Sequence, residues 1–345
     1  MFKKKIAAAL IALFFFTPLM AEDVALNPDH PDQYVVVKGD TLWDISAKFL
    51  RDPWLWPEIW HVNQQIANPH LIYPGDTISL VYIDGKPRLQ VTRGAGGGEG
   101  KLVPKVREMP IEEAIPTIPL DAINQFLSQP RVVDKDALKS MPYVVAIADD
   151  RVMAGTNDKI YGKGIKKDGV DGYTLFRIGD PFVDPDSKEK EIIGYEAIYL
   201  GDAKVDEVGE TSTLMITKSV RETQIGDYLL PSEDRVVQTD FQPHPPAQKV
   251  DGRIIHVYNG VKFIGQYSIV AINRGSNHGL DEGAVLAVYQ TGKMVDDPRN
   301  KGQQVQLPDE RAGEVLVFRT FPKMSFALVM RATKEMALLD MVRQP

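Results

Sequence analysis

The chain has 345 residues, a formal net charge of −7 and no cysteine. Its length allows two or three domains with cores of their own. The lack of cysteine excludes disulfides, thiolate metal sites, cysteine nucleophiles and an acylated cysteine anchor. No basic patch interleaved with aromatic side chains is present, so the composition argues against a nucleic-acid partner.

The first 21 residues have the pattern of a secretory signal peptide. Three lysines at positions 3–5 precede an apolar run over residues 6–16, and a short segment then ends at Ala21. This run is too short to cross a bilayer core of about 30 Å as a helix, and no later segment is long and apolar enough to do so. We expect cleavage after Ala21 and a mature periplasmic protein without a membrane span. Loss of the three lysines lowers its charge from −7 to −10, so wall binding would depend on shape and hydrogen bonds.

Residues 34–80 contain two strand patterns that bracket two helical patterns. A strand over residues 34–37 leads through a glycine turn into a helix over residues 41–50, with Thr41 as its N-cap. A second helix is expected from residue 56 or 57 to about residue 65, and residues 77–82 alternate as a strand. The order strand, helix, helix, strand predicts one compact α+β unit.

This stretch, with GDTLWDIS at one end and NPHLIYPGDTISL at the other, resembles the LysM family. The resemblance implies binding of N-acetylglucosamine-containing glycans, chiefly peptidoglycan or chitin, in the two loops that bracket the helices. The inserted RDPWLWPEIW segment departs from the shortest pattern of the family. By this resemblance the glycan-binding residues are Gly39, Asp40, Thr41, Leu42, Asn68, Pro69, His70, Leu71, Ile72 and Tyr73.

The loop residues also have a purely structural interpretation. Asp40 and Thr41 could serve only as a helix cap, and Asn68-Pro69 only as a turn. Backbone N–H and C=O groups beside glycine and proline turns nevertheless suit an acetamido group, and neighbouring apolar side chains suit sugar faces.

The four tryptophans are expected to divide between core and surface. We expect Trp43, Trp56 and Trp60 to pack inward and Trp54 to be exposed as an additional sugar platform.

Glycine- and proline-rich sequence separates this module, residues 22–92, from the remainder. Residues 93–119 have the composition of a flexible and then extended linker. A short helix is expected up to residue 128 from residue 119 or 120, and another helical turn within residues 132–139.

From residue 143 the apolar residues alternate with a period of two, which predicts a mainly-β region. A polar, proline-bearing stretch at residues 232–250 divides this region into residues 120–231 and 251–345. The strands are expected at residues 143–148, 173–178, 192–200, 213–219, 253–258, 267–272, 284–289, 314–318 and 325–332.

The two β regions resemble each other. Residues 212–229 align with residues 325–342 without gaps, and this alignment pairs Glu222 with Glu335 and Asp227 with Asp340. We expect two duplicated small antiparallel barrels or sandwiches of the SH3-like kind, although strand alternation makes any two β segments look alike. Each copy would carry an acidic loop between its middle strands, at residues 183–191 and 296–310.

The segment that contains Gly275, Gly279 and Gly283 resembles the C-terminal domain of the flagellar T-ring protein, which is an SH3-like barrel. The order of signal peptide, LysM module, linker and β region is similar, along nearly the whole chain, to the secretin-associated protein family of type IV pili (TsaP). This resemblance implies that the chain binds peptidoglycan and stabilises the outer-membrane secretin through which the pilus emerges.

The sequence contains no recognisable catalytic or metal constellation. No two of the six histidines are two or four residues apart, and no serine lies in a GxSxG or SxxK motif. A carboxylate-only glycosidase is not excluded by spacing, but nothing after residue 100 predicts a helical, cleft-forming domain. We therefore expect no enzyme, cofactor or metal.

The leading hypothesis is a peptidoglycan-associated periplasmic anchor that tethers an envelope complex, the outer-membrane secretin of type IV pili, to the wall. Two alternatives remain open at this point. One is an accessory factor that recruits a cell-wall hydrolase, and the other is a structural wall protein whose β domains bind one another.

Overall fold

An N-terminal α+β module is followed by two β-barrels, which confirms the expected fold class. The computed structural model describes residues 24–60, 71–93, 114–128, 132–166, 170–232, 241–258, 264–300 and 302–345. The predicted signal peptide lies outside these residues. Within them, no helix is both long and apolar enough to cross a membrane.

The module contains a three-stranded antiparallel sheet and two short helices. In chain order its elements are β1 (Gln33–Val35), α1 (Leu42–Phe49), α2 (Trp56–Ile59), β2 (Thr77–Ile83) and β3 (Lys86–Thr92). The sheet order is β1-β2-β3. The second helix is described only to Ile59, so its predicted end near residue 65 lies outside the described residues. The module core consists of buried side chains from every element, among them Val36, Ile45, Phe49, Trp56, Ile59, Ile72, Ile78 and Leu89.

A hairpin extends the module beyond the predicted four elements. Asp84 and Gly85 have φ angles of 52° and 76°, the left-handed conformation that a tight two-residue hairpin turn requires at both positions. The following strand, β3, lies at the edge of the sheet, where the missing N–H of Pro87 is tolerated. The Asp-Gly pair is therefore the sequence signal for a strand that the prediction omits.

The first barrel closes from six strands. In chain order residues 120–232 form α3 (Leu120–Ser128), β4 (Val132–Val133), α4 (Lys135–Leu138), β5 (Tyr143–Ile147), β6 (Met153–Ala154), β7 (Lys159–Lys163), β8 (Gly172–Val183), β9 (Ile192–Glu207), β10 (Thr211–Ser219), β11 (Thr223–Gln224) and β12 (Tyr228–Pro231). The barrel runs β5-β7-β10-β9-β8-β12 and back to β5, and every neighbouring pair is antiparallel. Strand β4 adds to the outside of β9.

The second barrel repeats this arrangement. Its elements are β13 (Asp251–Tyr258), β14 (Ile269–Ile272), β15 (Val285–Gln290), β16 (Met294–Asp296), β17 (Gln304–Gln306), β18 (Glu310–Thr320), β19 (Ser325–Ala332) and β20 (Met341–Arg343). The ring runs β13-β14-β19-β18-β15-β20 and back to β13. Taken in chain order, the six strands of each barrel therefore occupy the same places in the ring.

Corresponding hydrogen bonds recur in the two barrels. The N–H of Asn157 donates to Ile216 O at 2.8 Å, and the N–H of Tyr267 donates to Val329 O at 2.7 Å. Both donors have left-handed backbone conformations.

The two aspartates that the sequence alignment pairs are also equivalent in the structure. Asp227 and Asp340 are both buried. Each carboxylate accepts the N–H of the residue three positions before it, from Gln224 at 2.6 Å and from Ala337 at 2.8 Å. Arg177 binds Asp227 through two 2.8 Å hydrogen bonds, whereas burial raises the pKa of Asp340. The shared fold thus supports two diverged copies.

An apolar cluster, which we term the shared core, joins the other parts of the chain to the outside of the second barrel. Its buried members include Trp43, Ile118, Ile123, Phe126, Phe182, Ile193, Tyr258, Phe318, Phe326 and Leu328. Strand β19 is consequently buried on both faces, since Phe326 and Leu328 lie in the shared core while Ala327 and Val329 line the barrel interior. Burial on both faces explains the unbroken apolar sequence of this strand.

The module is docked on the second barrel through polar contacts as well. The hydroxyl of Tyr267 donates to Asp44 Oδ1 at 3.1 Å. Asp52 lies 3.6 Å from Arg311 and 3.9 Å from Arg331, and Arg331 also donates to the carbonyl of Arg51 at 2.9 Å. These contacts hold α1 and the residues just after it against strands β18 and β19 and the turn before β14.

The first barrel reaches the second through the ends of its two longest strands. The acidic loop between β8 and β9 places Asp184 and Asp186 against Asn273, Arg253 and Arg274. Strand β8 therefore continues beyond its predicted end because it forms an arm between the barrels as well as a barrel wall, whereas β9 continues beyond residue 200 by pairing with β10 in the barrel wall.

Candidate glycan-binding site

The first loop of the predicted site lies between β1 and α1. Gly39 has a φ of +97°, a left-handed conformation that favours glycine. The carboxylate of Asp40 accepts the N–H of Val37 at 2.9 Å and the hydroxyl of Tyr34 at 3.0 Å. Burial and this hydrogen bond raise the pKa of Tyr34. The Asp40 side chain therefore fixes the turn.

Thr41 fixes the start of α1 as expected. Its Oγ1 accepts the N–H of Asp44 at 3.1 Å and donates to the Asp44 carboxylate at 2.7 Å. Since both side chains are engaged within the loop and the Leu42 side chain is buried in the module core, the groups of this loop that suit a ligand are those of its backbone.

The second loop runs from Leu71 to the start of β2. Ile72 is fully buried, whereas Leu71 is 41% exposed. Asp76 accepts the N–H of Tyr73 at 3.0 Å and pairs with Arg93 at 2.6 Å. The Arg93 guanidinium also lies 5.1 Å from the centre of the Tyr73 ring, so Tyr73 is held from two sides.

The fold brings the two loops together at one edge of the module. Val36 N–H donates to Asp76 O and Gly75 N–H donates to Val36 O, both at 2.8 Å. These bonds tie the end of β1, from which the first loop begins, to the second loop. Asn68, Pro69 and His70 lie outside the described residues, so seven of the ten predicted glycan-binding residues have described positions.

Residues 115–118, which we term the bridging segment, contact both loops. The N–H groups of Leu42 and Trp43 donate to Pro116 O at 3.0 Å and to Thr117 O at 3.1 Å. Ile115 N–H donates to Ile72 O at 2.8 Å. The Ile115 side chain packs into the module core. The composition of residues 93–119 predicts a linker, but isoleucines at positions 115 and 118 stand beside the prolines, and this apolar content was the signal for packing.

The tryptophans do not form an exposed sugar platform. Trp43 is buried in the shared core, and Trp56 and Trp60 pack edge to face in the module core with ring centres 5.9 Å apart. Trp54 is half-buried and packs against the shared core. The prediction that Trp54 is exposed is wrong, because the docked second barrel covers this part of the module.

The titratable groups offer no metal centre in the part of the chain that the structure describes, where no three His, Cys, Asp or Glu side chains cluster suitably. His278 Nδ1 accepts the N–H of Gly275 at 3.2 Å, and burial lowers the pKa of His278. This histidine therefore stabilises its turn as a neutral ring.

Comparison with known proteins agrees with the geometry of the module. Residues 34–81 match the family model of the LysM domain. The N-terminal module is thus a LysM domain, a class of domain that binds peptidoglycan and related glycans. The chain is also 40% identical over 60 residues to an uncharacterized protein of Bacillus subtilis (strain 168), YqbP, a match that covers 14% of this chain and only 27% of that protein. The resemblance to the TsaP family and to the flagellar T-ring domain stays a prediction.

Proposed function

We propose that this chain is a non-enzymatic periplasmic anchor. Its LysM domain binds the N-acetylglucosamine-containing strands of peptidoglycan, and its β-barrels hold an envelope complex, the outer-membrane secretin of type IV pili. The LysM match supports the glycan half of the proposal. The signal-peptide pattern and the order of domains support the location and the partner.

The observation that carries the glycan assignment is that hydrogen bonds hold the two predicted glycan-binding loops side by side at one edge of the module. The N–H groups of Leu42 and Trp43 follow the first loop and the carbonyl of Ile72 lies in the second, and all three groups bond to the bridging segment in this structure. An acetamido group has one C=O acceptor and one N–H donor, so it carries the partner types that these groups need when the segment does not hold them. The exposed Leu71 side chain lies beside these groups and can cover an acetyl methyl or a sugar face.

We predict that Leu71→Asp weakens sedimentation of the full chain with purified peptidoglycan sacculi by about tenfold or more, because an apolar contact is lost and a charge is desolvated. Leu71 is 41% exposed, so the variant should keep the wild-type unfolding midpoint. The matched control is Ile83→Asp at the far end of β2. Equal sedimentation of both variants and wild type would place the glycan site elsewhere, and a lytic band on a peptidoglycan gel would contradict the non-enzymatic role.

The barrels expose apolar side chains at equivalent places. Ile225 lies just before β12 and is 58% exposed, and Leu338 lies just before β20 and is 55% exposed. The two residues are separated by the same offset that relates Asp227 to Asp340. Apolar side chains repeated at the same end of both barrels suit contact with a protein partner.

We expect the double variant Ile225→Asp and Leu338→Asp to lose crosslinking to the secretin in intact envelopes while it still sediments with sacculi. Leu71→Asp should show the opposite pattern. Crosslinks to a cell-wall hydrolase would favour the accessory role, and crosslinks only between copies of the chain would favour a structural wall protein. Either result would overturn the secretin assignment.

A further inference from the structure

The bridging segment occupies the same backbone groups that the proposed glycan would use. The N–H groups of Leu42 and Trp43 open helix α1, where they have no acceptor within the helix. They bond instead to Pro116 O and Thr117 O, and the carbonyl of Ile72 accepts the N–H of Ile115. Each of these three bonds lies between 2.8 and 3.1 Å, which is ordinary hydrogen-bonding distance.

The segment supplies the donor and acceptor types of an N-acetyl group. Its contacts use the N–H of Ile115 and the carbonyls of Pro116 and Thr117, which belong to three separate peptide units, whereas an acetamido group presents one N–H donor and one carbonyl acceptor in a single plane. The Ile115 side chain, 8% exposed, adds apolar contact with the module core, as an acetyl methyl would in part. Because each N–H group forms its best hydrogen bond with one acceptor at a time, the segment and an acetamido group exclude each other.

We propose that the bridging segment is an intramolecular competitor that closes the LysM groove, so that glycan binds only when residues 115–118 leave it. This inference rests on the proposed glycan function and specifies how the same site is regulated. The closed form is the one observed here, and the open form is a minor state that glycan selects.

The bridging segment also couples the groove to the β-barrels. Ile118 is fully buried in the shared core with Trp43, and the segment continues directly into α3, whose Ile123 and Phe126 lie in the same core. Arg319 of the second barrel donates to Phe126 O at 2.7 Å. Withdrawal of the segment therefore disturbs contacts between the module and the barrel. By linkage, a partner that loosens these contacts raises glycan affinity, and glycan favours the loosened form by the same factor.

The first test is titration of the full chain with the N-acetylglucosamine hexamer. Ile115→Asp makes the closed form costly, because a carboxylate would enter the module core. If the open form is populated at 10% or less in the wild type, the apparent affinity should rise about tenfold or more in this variant. Ile83→Asp, the same change at an exposed position of the same module, should bind like wild type.

The second test locks the segment instead of releasing it. Ile72 and Ile115 are joined by a backbone hydrogen bond and both lie in the module core, so we choose these two positions for a pair of cysteines. The chain has no cysteine of its own. The oxidised double variant should bind the hexamer at least about tenfold more weakly than its reduced form. The two single-cysteine variants, which form no internal bridge, should not respond to reductant.

The outcomes separate this proposal from the proposed function. Tighter binding by Ile115→Asp together with weaker binding by the disulfide form supports the competitor. Equal affinity of the oxidised and reduced forms overturns it, and the LysM domain then remains a glycan binder with an open site. If neither wild type nor any variant binds the hexamer or sacculi, the proposed glycan function fails as well.

Discussion

A Phe126→Ala chain should lose about 3–5 kcal/mol from the docking of α3 on the second barrel, the cost typical of truncating a buried phenylalanine. The Phe126 ring lies edge to face with Tyr258 at 4.8 Å, Phe326 at 6.0 Å and Phe318 at 6.3 Å between ring centres. Phe126 therefore packs α3 against three aromatic side chains of the barrel. Loss of the ring leaves a cavity that neighbouring strands cannot easily fill.

Tryptophan fluorescence during denaturant unfolding measures this effect, because all four tryptophans belong to the LysM module and two of them, Trp43 and Trp54, contact the shared core. Phe126→Ala should shift their emission to the red at lower denaturant than in the wild type. Tyr82→Ala, which removes an aromatic ring that is 63% exposed, should leave the midpoint unchanged. Identical curves for Phe126→Ala and wild type would show that α3 contributes nothing to the docking.

Glu314→Ala should destabilise the second barrel by about 3–5 kcal/mol, because it breaks a buried ion-pair cluster and leaves two guanidinium groups without their carboxylate. The Glu314 side chain is fully buried, and its Oε1 accepts from Arg311 at 2.8 Å and from Arg331 at 2.6 Å. Burial raises the pKa of Glu314, and the two arginines oppose that rise. The same arginines lie near Asp52, so the variant should also weaken the docking of the LysM module.

The matched control for this variant is Glu310→Ala on the same strand. Glu310 is an exposed carboxylate that pairs with Lys334, and exposed pairs contribute little to stability. Thermal unfolding of both variants should lower the midpoint only for Glu314→Ala. A similar midpoint for the two variants would show that the buried cluster is energetically neutral.

Much of the LysM module was determined by local sequence. The glycine turn, the Thr41 cap and the apolar spacing of α1 are short-range signals, and each is present in the structure as expected. The alternating strands of the barrels are likewise local, and β19 has the predicted bounds of residues 325–332. Such elements can be predicted because a residue and its near neighbours fix the backbone conformation.

Closure of the barrels was not evident in the sequence. Strands β7, β12 and β20 complete the two rings, but they have only three to five residues each, too few to show a period. In β7, an added Cβ at Gly162 would lie 2.8 Å from a side-chain carbon of Leu229. Close packing of side chains across the barrel therefore favours glycine at this position, and that contact is not visible in the sequence.

The sequence by itself determined the class of the N-terminal module, the mainly-β character of the remainder and the correspondence between its halves. Only the tertiary structure decided which side chains and backbone groups of these elements are covered by other parts of the chain. It buries Trp54 against the shared core and places residues 115–118 between the two loops of the candidate site. The physical reason is the sequence separation over which each interaction acts. Helix capping, turns and strand alternation depend on residues that are near neighbours in the chain. Whether an indole or a backbone amide meets solvent depends on segments distant in sequence.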